Sequence, residues 1–165
     1  MDTNILVFFF FLGFCSFLPL FSFGFIVQGQ VLCQVCERMG SWSLLDAQPL
    51  VRAKVGIKCR DYRYGKIYSM STETNYAGWY YEPIRKIDLK IHHIETPADS
   101  CTVHLISSDD QNCNVITNVN FGLTGASVRF EKTEFVGTRE QSDLYSPGIL
   151  AFRPKNCFPA MDRYN

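Results

Sequence analysis

The sequence has no excess of charge of either sign. Its 165 residues carry 16 Lys and Arg against 16 Asp and Glu, and the two signs are interspersed along the chain. Binding to nucleic acid requires a basic patch, and attachment to anionic lipid requires a cluster of Lys and Arg. Neither occurs, so the sequence argues against nucleic acid and the membrane surface as partners.

The sequence also lacks the familiar catalytic motifs. It contains no nucleophile elbow, P-loop, dinucleotide fingerprint or H-E-x-x-H pattern. The three histidines are His92, His93 and His104. On a strand the adjacent His92 and His93 would face opposite sides, so at most one of them could bind a metal together with His104. Two histidine ligands are too few for a zinc site. We therefore interpret the histidines as surface residues.

Several carboxylates resemble parts of a glycosidase acid–base pair, but nothing in the sequence selects two of them. They lie in predicted turns or on mixed-charge faces, where solvated side chains are the rule: Asp109, Asp110, Glu131, Glu134 and Asp143. We expect no catalytic residue, no metal, no cofactor and no enzymatic activity.

The only long apolar run lies at the N-terminus. No charged residue occurs between residues 5 and 27. Small residues at the −3 and −1 positions predict cleavage of a signal peptide after Gly24, and a second cut site follows Gly29. The alternative is an uncleaved anchor, but a proline interrupts the run and no basic cluster follows it. We expect a cleaved signal peptide at 1–24 and one secreted domain at 25–165.

Cysteine usage agrees with secretion. Of the seven cysteines, one lies in the apolar leader and six remain. An even number behind a signal peptide predicts three disulfides, for which fifteen pairings exist. If residues 27–36 form a strand, Cys33 and Cys36 face opposite sides and should have different partners. Spacing alone leaves the rest of the pairing open.

Alternating apolar and polar residues predict strands. Residues 51–59 show the clearest alternation, with apolar Val, Ala and Ile between charged Arg and Lys. Similar patterns, some less regular, occur at 87–91, 101–105, 128–132 and 149–153. Gly, Pro, Asn and Asp separate them, and only 43–47 suggests a helical turn. The predicted fold is all-β: a single β-barrel or sandwich of about seven strands with little helix.

Aromatic residues concentrate in one stretch, between residues 62 and 81. Exposed rings can stack on sugars or anchor a partner protein, whereas buried rings fill the core. For any single ring, core packing is the simpler interpretation, and strand alternation sends Trp79 and Tyr81 to one face and Tyr80 to the other. The candidates for binding or cross-linking are Tyr62, Tyr64, Tyr68 and Tyr80.

Six segments in order match a known set of motifs. Residues 27–36 read V-x-G-x-V-x-C-x-x-C, 117–126 read T-N-x-N-x-G-x-x-G-A, and 145–157 read Y-x-x-G-x-x-A-F-x-P-x-x-C. Further matches lie at 49–59, 72–80 and 100–105. Together they resemble the plant pollen Ole e I allergen and extensin family over the whole mature chain. One departure is Gln34, which stands where the family often has Asp.

The resemblance implies an antiparallel β-barrel and a disulfide order of first with fifth, second with sixth and third with fourth cysteine. On this sequence the implied bonds are Cys33–Cys113, Cys36–Cys157 and Cys59–Cys101. It also favours cleavage after Gly24, because Gly29 belongs to the family's first strand. Family members are secreted into cell walls and pollen, and no common reaction comes with the family.

Two functions are compatible with these residues. We prefer a non-catalytic protein of the plant cell wall or extracellular matrix, whose aromatic face binds wall polysaccharide or an extracellular receptor domain. The alternative is a structural wall protein whose tyrosines, Tyr62 and Tyr64 especially, are oxidatively cross-linked as in extensins. A secreted hydrolase is the contrasting class. No nucleic acid, cofactor or membrane association after signal cleavage is expected.

Overall fold

The computed structural model describes residues 23–136 and 140–157, and within them most of the chain lies in two β-sheets. The strands are β1 (Phe23–Cys33), β2 (Gln48–Pro49), β3 (Ala53–Arg60), β4 (Ile67–Glu73), β5 (Trp79–Arg85), β6 (Cys101–Ser108), β7 (Val115–Ile116), β8 (Ala126–Ser127), β9 (Arg129–Val136), β10 (Glu140–Ser146) and β11 (Ile149–Arg153). The short helices are α1 (Lys86–Ile91) and α2 (Pro97–Ser100). The predicted all-β fold with little helix is confirmed. Residues 1–22, which form most of the predicted signal peptide, lie outside the described residues.

The larger sheet is organised around β1. One edge of β1 pairs antiparallel with β5, from Phe23 opposite Arg85 to Gln30 opposite Trp79, and its last two residues pair with β2. The other edge pairs first with β10 and then with β11, both in parallel. β9 lies antiparallel beside β10 and β7 beside β11. As a result β1 is hydrogen-bonded along both edges.

β10 and β11 act as one long strand interrupted at Pro147 and Gly148. Opposite β1 the register advances from Val27 with Tyr145 to Gln30 with Ile149, so one additional residue is accommodated at the break. Counted as one strand, they give seven long strands in the described chain, in agreement with the predicted number. The parallel pairing with β1 differs from the predicted antiparallel arrangement, because alternation shows which side chains face inward but not the direction of the neighbouring strand.

The smaller sheet has the order β4-β3-β6-β8 and is antiparallel throughout. The alternating residues at 51–59 predict β3, and the structure places the apolar members of this pattern inside: Ala53, Val55, Ile57 and Cys59 are all buried. β4 forms one edge, and every side chain along it is exposed or only partly buried. The sheet therefore presents one apolar face to the core and one polar face to solvent.

The core lies between the two sheets. The larger sheet contributes Val31, Tyr80, Leu150 and Phe152, and the smaller sheet contributes Val55, Ile57 and Val103. On β5 and β6 the core side chains alternate with more exposed residues, as expected where only one face of a strand contacts the core. On β11 the alternation is lost, because Ala151 between Leu150 and Phe152 is also buried.

The strand predicted at 87–91 is wrong, because these residues form α1. Asp88 in its first turn accepts two hydrogen bonds from the Arg85 guanidinium, at 2.8 and 2.9 Å, which stabilises the helical start. Leu89 packs against the core, whereas Ile87 and Ile91 are exposed. Five alternating residues are too few to distinguish a short helix from a strand. No helix in the described ranges is long and apolar enough to cross a membrane.

Candidate functional site

The six cysteines downstream of the leader form three disulfides. Cys59 and Cys101 face each other on β3 and β6, Cys33 at the end of β1 bonds Cys113 before β7, and Cys36 bonds Cys157 beyond β11. These pairs coincide with those that the resemblance implies. β1 ends at Cys33, and Cys36 lies in the one-turn 3-10 helix Cys36–Arg38, so the opposite-face argument fails for Cys36 although the two cysteines do have different partners.

A tight turn between β3 and β4 carries two of the candidate tyrosines. The Oδ1 of Asp61 accepts hydrogen bonds from the backbone N–H groups of Arg63, at 2.6 Å, and Tyr64, at 3.0 Å. The Asp61 N–H donates to the Lys66 carbonyl at 2.7 Å and closes the turn. Burial of the carboxyl opposes ionisation, but these two hydrogen bonds, with the nearby charges of His93 and Lys66, outweigh burial and lower the pKa of Asp61. The ionised carboxylate thus fixes the turn.

The exposed rings of Tyr62 and Tyr64 lie against the partly buried ring of His93, and we call these three rings the tyrosine surface. The two tyrosines are 53% and 68% exposed. The His93 ring meets both edge-on, with centroid distances of 6.3 Å to Tyr62 and 5.7 Å to Tyr64. Arg63 donates from Nε to the Tyr62 hydroxyl at 2.7 Å. These contacts hold the exposed rings in position, and pre-organised rings lose little conformational entropy when a ligand binds.

Tyr68 lies outside the tyrosine surface. Its ring stacks on His92, with centroids 4.3 Å apart and planes inclined by 25°, and it packs partly against the core. Burial, together with the negative charge of Asp88, raises the pKa of Tyr68. The stack on His92 and the core contact give this ring a structural role.

Tyr80 is a core residue, and the expectation that it takes part in binding or cross-linking is wrong. It is 2% exposed, and burial together with the Glu131 charge raises the pKa of its phenol. The alternation of β5 turns Tyr80 inward and leaves Trp79 and Tyr81 exposed. A ring in this position is inaccessible to a polymer or to a peroxidase.

The histidines do not occupy the positions assumed for them. His92 and His93 follow α1 instead of lying on a strand, and His93 has a left-handed backbone with φ of 50°. Its Nδ1 lies 3.7 Å from the Asp61 Oδ2. His104 lies on β6, where burial and the Lys58 charge lower its pKa. Among residues 23–136 and 140–157, no group of three or more His, Cys, Asp or Glu has an arrangement that would hold a metal ion.

The carboxylates considered for catalysis have structural partners. Asp109 pairs with Arg52, Glu134 with Lys132, Asp143 with Thr133 and Glu131 with Gln28, while Asp110 accepts a hydrogen bond from the Asn112 backbone N–H. Their shortest contacts range from 2.7 to 3.6 Å.

The structure also shows an exposed surface that sequence reasoning missed. Trp42 and Phe121 are 62% and 52% exposed and meet edge-to-face, with centroids 5.5 Å apart. A cavity of about 430 Å³ is lined by Trp42, and another of about 570 Å³ is lined by Phe121. We call the ring pair and its two cavities the ring-pair groove. The signal in the sequence was an isolated aromatic residue inside the Asn- and Gly-rich motif at 117–126.

Comparisons with known proteins agree with the motifs. No protein-family model matches the chain. The sequence is similar to a pistil-specific extensin-like protein of Nicotiana tabacum, with 33% identity over 146 residues; the match covers 81% of this chain and 31% of that protein's length.

The fold is similar to the crystal structure of the major plantain pollen allergen Pla l 1. The TM-score is 0.53 at 22% identity, over 83% of this chain and 98% of the allergen. At this identity the likeness shows a shared fold. With the extensin-like sequence, the pollen-allergen fold and the three disulfides in place, the resemblance of this chain to the plant pollen Ole e I allergen and extensin family is confirmed.

Proposed function

We propose that this chain is a secreted, non-catalytic protein of the plant extracellular matrix that binds wall polysaccharide through the tyrosine surface. The observation that carries the proposal is the exposure of Tyr62 and Tyr64 on a turn between β3 and β4. Hydrogen bonds to the Asp61 carboxylate fix the backbone of that turn. The disulfide content supports the compartment, because such bonds persist in oxidising environments outside the cell.

The chemistry of this surface favours a sugar over a protein partner. A phenol ring offers an apolar face to the C–H face of a sugar, and its hydroxyl offers a hydrogen bond to the sugar hydroxyls. The Arg63 guanidinium lies 5.4 Å from the Tyr62 ring centroid and adds further donors at the same point. Polar groups therefore surround the exposed rings, whereas protein hot spots are aromatic residues buried in dry pockets.

The test is affinity electrophoresis of the secreted protein through gels that contain individual wall polysaccharides. We expect retardation by at least one polysaccharide, and loss of it in the double variant Tyr62→Ala/Tyr64→Ala. Tyr76→Ala is the matched control, because Tyr76 is 86% exposed but lies in a different turn. The proposal would be wrong if the wild type migrated unchanged in every gel. If the same tyrosines were then required for capture of a receptor ectodomain, the ligand would be a protein and not a polysaccharide.

The second candidate function is oxidative cross-linking, and the exposure of Tyr64 is the observation that favours it. In this reaction a peroxidase transfers one hydrogen atom from each of two phenols to hydrogen peroxide, which becomes water, and the two rings join through a carbon–carbon bond. Treatment with peroxidase and hydrogen peroxide should then give dityrosine fluorescence and covalent dimers, and Tyr64→Phe should lower the yield of both. An unmodified monomer after treatment would eliminate this function.

A further inference from the structure

The backbone that carries one ring of the ring-pair groove has a strained conformation. Asn120 and Phe121 both have left-handed backbone conformations, with φ of 48° and 61°. This region is uncommon for residues other than glycine, and a bulky residue there is an outlier that costs free energy. The strained backbone presents an apolar ring that is 52% exposed to water. A strained residue with an exposed ring is a candidate for a function at the surface.

Hydrogen bonds from several elements hold this strained loop in place. The Asn120 amide donates from Nδ2 to the carbonyl oxygens of Pro147, at 2.5 Å, and Ile149, at 3.3 Å. The Gly125 N–H donates to the Phe121 carbonyl at 2.7 Å. The loop is thereby tied to the break between β10 and β11, and the position of the Phe121 backbone is fixed before any ligand arrives.

The opposite side of the groove is fixed in the same way. Gln34 is buried, and its Nε2 donates to the carbonyl oxygens of Ser41, at 3.0 Å, and Ser43, at 2.9 Å. Trp42 lies between these two anchored residues. Both rings of the pair therefore project from rigid backbone, which is the condition for binding a ligand at low entropic cost.

Polar and cationic groups surround the two rings. The cavity beside Trp42 is also lined by Asn118 and Arg153, and the cavity beside Phe121 by Asn120 and Arg129. Neither arginine takes part in an ion pair within the described parts of the chain. Glu131, the carboxylate that lines the second cavity, accepts a hydrogen bond from Gln28. Arg153 donates one hydrogen bond, to the Pro154 carbonyl at 3.3 Å. Each cavity thus combines an aromatic side chain, amide groups and a guanidinium that has no ion-pair partner among the described residues.

We propose that the ring-pair groove binds an acidic oligosaccharide that contains uronic-acid residues, with sugar rings against Trp42 and Phe121 and uronate carboxylates on Arg153 and Arg129. Aromatic faces bind the apolar faces of sugars, and a guanidinium forms paired hydrogen bonds with a carboxylate. Cavities of about 430 and 570 Å³ have the size of ordinary small-ligand sites. The inference rests on the proposed function, because both take a polysaccharide as the ligand. It differs in that the ligand lies on the ring-pair groove and not on the tyrosine surface.

The test measures binding of the secreted protein by calorimetry to three probes: an oligogalacturonate, its methyl-esterified form and a neutral oligogalactoside. We expect the acid to bind about tenfold or more tightly than its ester, with an affinity that falls as salt rises. Arg153→Gln should remove most of this preference. Arg60→Gln, which removes an exposed charge on β3, is the matched control and should retain it.

Two ring variants test the stacking contacts. Trp42→Ala and Phe121→Gly should each weaken binding about tenfold or more. Glycine suits the left-handed backbone, so Phe121→Gly should retain or raise the melting temperature while it loses affinity, which separates a binding role from a structural one. Tyr76→Ala is the control for removal of an exposed ring and should bind normally.

The outcomes separate this inference from the proposed function. Equal affinity for acid and ester, or full binding by Trp42→Ala and Phe121→Gly, would overturn the groove as a uronate site. If Tyr62→Ala/Tyr64→Ala alone loses polysaccharide binding, the proposed function stands and the groove fails. If only the groove variants lose binding, the groove stands and the tyrosine surface fails. No binding to any probe by the wild type overturns the groove inference.

Discussion

Gly29 of β1 and Tyr80 of β5 face each other across the antiparallel ladder, and the Tyr80 phenol occupies the space where a side chain at position 29 would lie. A Cβ atom built on Gly29 would be 2.7 Å from the Tyr80 Cζ and 2.9 Å from its Cε1. The glycine in the V-x-G-x-V motif therefore makes room for a core tyrosine on the neighbouring strand.

Gly29→Ala should destabilise the protein by about 1–3 kcal/mol, because the new methyl group forces the Tyr80 ring out of its position in the core. Chemical denaturation of the oxidised protein measures this difference as a lower midpoint. An alanine variant as stable as the wild type would show that the ring moves without cost.

Tyr80→Phe is the matched variant for this contact. The Tyr80 hydroxyl is buried and has no hydrogen-bond partner among the described residues, so its removal should leave stability unchanged or raise it. In the double variant with Gly29→Ala, part of the alanine penalty should be relieved. Strict additivity of the two changes would argue against contact between these positions.

The three disulfides should be reduced in an order set by their burial. Cys59 and Cys101 are both buried in the smaller sheet, whereas Cys36 and Cys157 are both partly exposed. We expect dithiothreitol to reduce Cys36–Cys157 first and Cys59–Cys101 last. Timed alkylation followed by peptide mass mapping gives the order, and simultaneous loss of all three would instead indicate global unfolding as the reducing step.

Loss of any one bond should also cost stability. The bonded residues are separated by 80, 121 and 42 positions for the pairs that begin at Cys33, Cys36 and Cys59. In the chain-entropy model, loops of these lengths correspond to about 4–5 kcal/mol each before strain is subtracted. Paired Cys→Ala variants and thermal unfolding measure the individual costs.

Asp61 should make stability depend on pH in the acid range. Because its folded-state pKa is lowered from 3.8, its contribution is present above that pH and is lost as the pH falls through the folded-state value. Asp61→Asn should therefore be less stable than the wild type at neutral pH, and the difference should shrink below pH 3.8.

The control for this titration is Asp99→Asn, an exposed carboxylate on α2. Urea denaturation across the acid range gives the stability of the three proteins. A constant difference between wild type and Asp61→Asn at every pH would mean that the side chain acts through its shape and not through its charge.

Gln34→Leu should loosen the loop that carries Trp42. The change removes two buried hydrogen bonds and leaves two carbonyl oxygens without their donor, at a cost of about 2 kcal/mol. In a Trp79→Phe background, Trp42 is the only tryptophan, so its fluorescence anisotropy reports the loop directly. Gln111→Leu, an exposed change, is the control and should leave anisotropy unchanged.

The secreted protein should begin at Phe25, the residue that follows the predicted cut. Phe25 is buried, and its ring contacts Tyr145 edge-on at 5.5 Å. A cut after Gly29 would remove the buried side chains of Phe25, Ile26 and Val27 and all of the β1 pairing with β5 except Gln30 opposite Trp79. Intact-mass analysis of the secreted chain distinguishes the two starts. A mass that corresponds to Gln30 as the first residue would contradict the expectation.

The sequence predicted those parts of the fold in which one face of a strand meets the core. β3 and β6 are examples, because a period-2 pattern follows directly from burial on one side. Alternation along β5 also predicts that Tyr80 faces inward and that Trp79 and Tyr81 face outward, as the structure has them. By the same argument Tyr80 is not a candidate for binding.

Other features depend on tertiary contacts that carry no local pattern. The segment at 87–91 alternates as a strand does, yet Leu89 is its only side chain that packs on the core, and the helix begins at an ion pair. The left-handed conformations of Asn120 and Phe121 depend on Pro147 and Ile149, far along the chain. Local sequence therefore marks Phe121 as an isolated aromatic residue in the motif at 117–126 but does not show that it meets Trp42, whereas the concentration of aromatic residues between 62 and 81 is enough to identify Tyr62 and Tyr64 as candidates.

The parallel pairing of β1 with β10 and β11 sets the order in which the domain can be completed during biosynthesis. β1 is the earliest strand to be synthesised, but the register joins Phe25 to Asp143 and Cys33 to Phe152. Contacts of such long sequence separation form slowly. Until β10 and β11 have been synthesised, one edge of β1 therefore has no partner, and unpaired strand edges are sites of aggregation. The fold of β1 is therefore completed only by the last strand of the described chain, β11.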